Sequence, residues 1–264
     1  MIANNQSTPR RVLVIGAGQA PGADEALVGN GRAICLSLAR QGVQVVCADR
    51  DLDAAEATAA LIHAQWGTAW AVQGDIAKPE DISPMMEASH RLMGGLDGLV
   101  LNAGISDRRH MEDVTPQSWD NIFNVNLRGH MLCVQRALPL MSAGGSIVFI
   151  SSLAAHKPVA RNPAYEASKA GISALCRATA MEGHARDIRA NVVVAGLIDT
   201  PMGRAASAAR ADRATGPLPF GRQGTAWEIA NAVLFLLSND ASYINAVELA
   251  VDGGLGCGIA RSGF

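Results

Sequence analysis

A tyrosine followed four positions later by a lysine, in the run Tyr165-Glu166-Ala167-Ser168-Lys169, is the pairing in this chain best suited to moving a proton. On a helix, residues i and i+4 share a face, so the phenol and the ammonium lie one turn apart. A cation beside a phenol favours the phenolate and draws the tyrosine from about 10 toward the range of a general acid or base. The chain has only two tyrosines, so the placement is informative. By itself, an exposed polar pair would account for it equally well.

Two further residues change that balance. Ser152 lies thirteen positions upstream, closing Gly145-Ser146-Ile147-Val148-Phe149-Ile150-Ser151-Ser152. The apolar core of this run predicts a buried parallel strand, and open α/β sheets gather reactive groups at the carboxyl ends of their strands. Ser152 there can hydrogen-bond the oxygen of an alcohol or carbonyl; as a turn or helix cap, it or Ser151 would serve alike. Asn124 and Asn126 fall inside a helical pattern running from about Pro116 to Leu140. Asparagine is a mediocre mid-helix residue, and one reason for it is a water relay from Lys169 to solvent.

With Asn126, Ser152, Tyr165 and Lys169 in view, the chain resembles the short-chain dehydrogenase/reductase family from about Arg11 to Gly254. Asn102-Ala103-Gly104 after a strand and the closing Val251-Asp252-Gly253-Gly254 complete the ordered set. The resemblance implies an α/β Rossmann fold, a doubly wound parallel sheet of about seven strands with helices on both faces. It implies hydride transfer between nicotinamide C4 and a secondary alcohol or ketone. Tyr165 would be the acid/base, Ser152 would orient the substrate oxygen, Lys169 would lower the tyrosine pKa and hold the nicotinamide ribose, and Asn126 would maintain a proton relay. Asn102, Ala103 and Gly104 would line the middle of the cofactor, with Gly196, Ile198 and Thr200 near the nicotinamide amide. Ala195 stands where the family usually has proline, which leaves that turn looser. The helices 116–140 and 164–183 would form a dimer contact within a homotetramer or homodimer.

The elements that must position these groups follow from periodicity. Apolar strands are predicted near Arg11–Ile15, Val43–Asp49, Thr68–Gln73, Leu96–Leu101, Ser146–Ile150, Ile188–Val194 and Val247–Val251. Arg32–Arg40 is helical in period and stops at Gly42, which makes a βαβ unit with its flanking strands. At 264 residues and 49% hydrophobic, with no Pro/Gly/Ser linker, one domain over 11–264 behind a polar arm of residues 1–10 is expected. A net charge of −2 with interspersed signs gives no footprint for nucleic acid or an anionic membrane. No apolar signal core or bilayer-length stretch is present. Cys35, Cys47, Cys133, Cys176 and Cys257 lack C-x-x-C spacing and read as buried hydrophobes in a reducing compartment, hence a cytoplasmic protein. The six histidines form no pair at metal spacing, so no catalytic metal is expected.

The nucleotide half departs from the family. After Gly16-Ala17-Gly18, the next suitable glycines are in Gly29-Asn30-Gly31, about nine residues later than the family pattern places them. A register using Gly22 would put Asp24 and Glu25 beside phosphates and strand Gly29 and Gly31 inside a helix, at about 1 kcal/mol each. Gly29 and Gly31 are therefore the expected phosphate-turn glycines, with residues 19–28 an inserted loop beside the adenosine or a surface excursion. Asp49 ends the second strand, where a carboxylate takes both ribose hydroxyls of NAD and repels the 2′-phosphate of NADP. Val28 supplies no cation for that phosphate. Arg50 could stack on adenine or bind a phosphate, but reads first as a surface arginine. NAD is the expected cofactor and NADP the less favoured one. Asp75-Ile76 resembles the family's adenine contact, and Asp75 could also cap a helix before Lys78-Pro79.

On the substrate side, Leu153, His156 and Met202 are candidate contacts beside Ser152. The segment from Met202 to Arg222 suits a mobile lid. Arg204, Arg210, Arg213 and Arg222 in it, like Arg108, Arg109 and His110 after the fourth strand, read first as solvated charges. The leading expectation is an NAD(H)-dependent oxidoreductase. Its rivals are an NADPH-dependent carbonyl reductase of 3-oxoacyl type and a non-catalytic NAD-binding regulatory protein on the same fold.

Overall fold

Alternation along the first strand sets the architecture. In β1 (Arg11–Ile15), Val12 and Val14 face one side, Leu13 and Ile15 the other, and all four are buried. A strand buried on both faces belongs in the middle of a doubly covered sheet. The computed structural model describes residues 11–19, 27–158, 162–208 and 217–258. The expected N-terminal arm 1–10, Gly22, Asp24, Glu25, Arg210 and Arg213 lie outside the described residues.

The strands after β1 are β2 (Gln44–Asp49), β3 (Ala69–Gln73), β4 (Leu96–Leu101), β5 (Met141–Ser152), β6 (Arg189–Ala195), the short β7 (Ile198–Asp199) and β8 (Gly224–Thr225), and β9 (Glu248–Val251). Seven of them form one parallel sheet in the order β3-β2-β1-β4-β5-β6-β9, while β7 and β8 pair separately. The order reverses direction between β1 and β4, and the carboxyl ends of strands at such a point border a crevice. The helices are α1 (Asn30–Arg40), α2 (Leu52–His63), α3 (Pro79–Met93), α4 (Pro116–Phe123), α5 (His130–Ala137), α6 (Pro163–Gly183), α7 (Pro201–Ala208) and α8 (Ala226–Leu237). One apolar layer joins Val12, Val14 and Val45 to Ile34, Leu38, Ile229 and Val233 of α1 and α8. The other joins Leu13, Ile15 and Phe149 to Met85, Cys133 and Ile172 of α3, α5 and α6. The result is one doubly wound domain.

Three local features differ from expectation. The helix anticipated over 116–140 is α4, then a π turn over Asn124–Gly129, then α5 and a 3₁₀ turn over Leu138–Leu140. A π turn carries an extra residue per turn and marks many functional sites; here it accompanies the Asn126 side chain bonding outside its own helix. Strand β5 begins at Met141, five residues early, because Leu96 pairs with Met141 before a register shift to Gly98–Ser146. Cys257 is exposed, unlike the other four cysteines, because it lies in the turn that follows β9.

Candidate active site

At the switch point a cleft of about 710 Å³ opens, and its wall contains every residue expected to hold the cofactor. The first turn is built by close approach. Gly16 has φ +80°, and a Cβ there would sit 2.7 Å from the Ala103 backbone. A Cβ on Gly31 would collide with the Gly16 carbonyl, which also accepts from Asn102 Nδ2 at 2.7 Å. Helix α1 starts with Gly29 as N-cap and makes no side-chain cap, and no acidic residue occupies its first turn. Its leading N–H groups and dipole therefore face the cleft as an anion site. Asn30 lines the same spot with a buried Oδ1 that has no hydrogen-bond partner among the described residues.

The inserted loop is pinched at its neck. Gln19 Oε1 accepts from Gly29 N at 2.9 Å while Gln19 Nε2 donates to Leu27 O at 2.9 Å. Gln19 thus holds the helix start where the family pattern would have a tight turn. The sequence reading missed it, because a side-chain staple across ten residues has no periodic signature.

Asp49 ends β2 at the cleft, its Oδ2 accepting from Gly18 N at 2.9 Å and its Oδ1 from Asp51 N at 3.2 Å. Both bonds use backbone N–H groups, and each oxygen keeps a lone pair for a ribose hydroxyl. Arg50 also lines the cleft, with its residue exposed. Asp75 does not cap α3: the N-cap is Lys78, and Asp75 Oδ1 instead accepts from Ala77 N at 3.0 Å in a tight turn. That turn places Asp75 and the buried Ile76 on the cleft wall, where Gly129 of the π turn comes close to the Ile76 carbonyl.

The reactive groups converge at the ends of β4, β5 and α6. Helix α6 begins at Pro163, whose fixed φ suits a first helical position. Tyr165 and Lys169 lie on one face, with Lys169 Nζ 5.8 Å from the Tyr165 ring centroid. Lys169 is buried, donates to Ile150 O at 2.9 Å, and is pushed down to about 8 by burial. Gly104 admits it: a Cβ there would be 3.2 Å from Lys169 Nζ. Ser152 lines the cleft, and its Oγ accepts from Ala154 N at 3.2 Å, which leaves the hydroxyl hydrogen to donate. Ser151 has a separate task, donating to Lys169 O at 3.0 Å.

Asn126 is fully buried and stands behind the cleft wall. Its Oδ1 accepts from Ile105 N at 2.8 Å, and its Nδ2 donates to Ile105 O at 2.9 Å and Ser168 Oγ at 3.1 Å. The side chain therefore ties the strand-β4 loop to α6, using both amide hydrogens and leaving one acceptor lone pair on Oδ1. Beside it, His130 donates from Nε2 to Ala103 O at 2.9 Å, and burial, together with the Lys169 charge, holds it neutral, with a pKa of about 3. This clamp on the Asn102-Ala103-Gly104 loop also escaped the sequence reading.

On the substrate side the expectations divide. Met202 lines the cleft beside Ala206. Leu153 and His156 are absent from its wall. His156 Nε2 instead lies 3.0 Å from Glu248 of β9, which also meets Arg177, while Leu153 lies beneath Gly256. Arg108, at φ 55°, crosses to α7 and donates to Ala205 O at 2.9 Å and Met202 O at 3.5 Å. Arg204 pairs with Asp199 at 2.8 Å and Arg222 with Glu228 at 2.7 Å. Ser106 and Asn162, neither anticipated, line the same end.

Comparison with known proteins agrees with this geometry. The family model described as enoyl-(acyl carrier protein) reductase matches residues 26–256. A short-chain dehydrogenase/reductase, ABA4, of Pyricularia oryzae is 34% identical over 260 residues, covering 94% of this chain and 95% of its own. The trans-4-hydroxycyclohexanecarboxylate dehydrogenase of Sinomonas cyclohexanicum is 35% identical, with 92% and 91% covered. Among solved structures, a double-substitution variant of a Serratia marcescens short-chain dehydrogenase/reductase superposes with a TM-score of 0.86 at 29% identity, covering 95% of this chain and 99% of that one. Matched by the family model over most of its length and by relatives of 34–35% identity over nearly all of it, the chain belongs to the short-chain dehydrogenase/reductase family of oxidoreductases acting on alcohols and ketones.

Proposed function

We propose that this protein is an NAD(H)-dependent oxidoreductase of a secondary alcohol or ketone, with Tyr165 as its general acid/base. The observation that carries the reading is the buried Lys169 ammonium set against the Tyr165 ring at the mouth of the cleft. The residues present fit a nicotinamide dinucleotide. Gly29, Asn30 and Gly31 would hold its pyrophosphate, Asp49 the adenosine ribose, Asp75 and Ile76 the adenine edge, and Gly196, Ile198 and Thr200 the nicotinamide. Bound there, the dinucleotide supplies hydride transfer, chemistry that no side chain provides.

The protein's own groups handle the proton. Ser152 donates to the substrate oxygen, Tyr165 takes or returns its proton, and Lys169 favours the phenolate by its charge. Asn126 fixes the loop against which Lys169 lies. A carboxylate at the end of β2 supports NAD over NADP, since a 2′-phosphate would meet Asp49; Arg50 alongside favours the second reading, an NADPH-dependent carbonyl reductase. A cytoplasmic homotetramer or homodimer is part of the proposal, and exposed Met131 on α5 and Met181 on α6 support the association. No helix among the described residues is long and apolar enough to cross a membrane.

The test follows NADH and NADPH absorbance over a panel of secondary alcohols and ketones, with Tyr165→Phe as control. NAD-linked turnover that falls by about 10³-fold in Tyr165→Phe is the expected result. Full turnover in that variant would remove Tyr165 from the role, and a preference for NADPH would assign the second reading.

A further inference from the structure

Asn162 stands three residues before Tyr165 and lines the substrate end of the cleft. Its Nδ2 donates to Ser106 Oγ at 2.7 Å, while its Oδ1 is buried with no hydrogen-bond partner among the described residues. Although Asn162 is the N-cap residue of α6, its side chain makes no cap hydrogen bond. The amide bonds Ser106 at the cleft wall instead of serving its own helix. A buried amide oxygen without a donor is costly, and one that persists in a ligand cleft points to a donor brought by the ligand.

The amide orientation can also be inverted, and the conclusion survives. With nitrogen and oxygen exchanged, the Ser106 hydroxyl would donate to Asn162, and the free NH₂ would seek an acceptor. A hydroxyl on the substrate answers either arrangement, because it both donates and accepts. A carboxylate or ether answers only the inverted one, and a methylene answers neither.

Position says which hydroxyl. Asn162 caps the first turn of α6 and Tyr165 lies within that turn, and both line the cleft, so they address neighbouring parts of one small molecule. Opposite them, Met202 and Ala206 of α7 offer an apolar surface. We propose that Asn162, oriented by Ser106, is a specificity-determining residue that binds a second hydroxyl beside the reacting carbinol, so that the substrate is a small diol or its hydroxy ketone and not a simple secondary alcohol. This rests on the Tyr165-centred oxidoreductase reading above.

The experiment compares oxidation of 1,2-cyclohexanediol (cis and trans) with that of cyclohexanol, using NAD and NADP, in the wild-type protein, Asn162→Leu and Ser106→Ala. The expected kcat/KM ratio in the wild type favours a diol by about 100-fold, since a site built to bond a hydroxyl rejects the analogue that lacks it. Asn162→Leu brings the ratio to within about threefold of unity, and Ser106→Ala gives an intermediate value. A wild-type ratio near one, or a ratio that survives Asn162→Leu, would overturn the subsite and leave the oxidoreductase standing. Oxidation of neither alcohol by the wild type would also overturn the subsite, and the panel of alcohols and ketones above then decides the oxidoreductase reading separately.

Discussion

The two walls of the cleft are held by different physics. The wall formed by β1, α1 and the end of β4 is built from backbone in contact with backbone. Gly16 meets Ala103, Gly31 meets the Gly16 carbonyl, and Asn102 bonds that same carbonyl. The wall formed by the β4–α4 loop and α7 is built from exposed side chains reaching carbonyls, as Arg108 does to Ala205 and Met202. Close-packed backbone leaves one arrangement, and it suits a ligand common to a whole family. Long side chains on an exposed surface can be exchanged without disturbing the sheet, and that suits a wall whose ligand varies.

The sharpest way to break this contrast is Gly31→Val. A side chain there has no space, since its neighbours are backbone and the Asn102 amide. Dinucleotide affinity measured by calorimetry should fall by about 10³-fold or more, with loss of thermal stability as well. Next comes Lys169. Its folded value of about 8 lies below its ordinary 10.5, so the unfolded chain holds the proton more tightly. The resulting penalty, about 3 kcal/mol, is fully present below pH 8 and is relieved as pH rises toward 10.5. The unliganded protein should therefore gain stability across that window. Denaturant melts of Lys169→Met should show no such gain.

Smaller effects separate the walls further. Asp49→Asn should cut the preference for NAD over NADP by about 10-fold, read as a ratio of kcat/KM values, because it removes the repulsion of a 2′-phosphate while keeping a ribose contact. Arg108→Ala should raise the substrate KM several-fold and leave dinucleotide affinity unchanged. An equal loss in both would show that the walls are not independent. Glu228→Ala, which removes half of the Thr225/Glu228 capping box on α8, should cost about 1 kcal/mol in melts without changing the kinetics.

Legibility in the sequence followed the same division. Strands β1, β2, β4 and β6 are near-continuous apolar runs, and each was located to within a residue. Gly29 caps α1 despite the insertion before it, but α1 starts at Asn30, two residues ahead of the expected Arg32, and takes Gly31 into its first turn. Tyr165, Lys169 and Ser152 lie at the cleft because helix spacing and strand ends fix direction. The errors came where a side chain bonds far from its own position in sequence. Asn126 reaches Ile105 and Ser168 from a π turn, where the sequence pattern is helical throughout. His156 is drawn to Glu248 on β9, away from the substrate. Gln19, His130 and Asn162 each make side-chain contacts to residues distant in sequence, which leave no period to detect.

The central claim is that Lys169 sets the proton affinity of Tyr165, and the pH dependence of kcat/KM for alcohol oxidation tests it most directly. The account predicts an acidic limb in the wild-type profile that moves to higher pH by a unit or more in Lys169→Met, as loss of the neighbouring cation raises the phenol pKa. A limb that stays in place in that variant would contradict it.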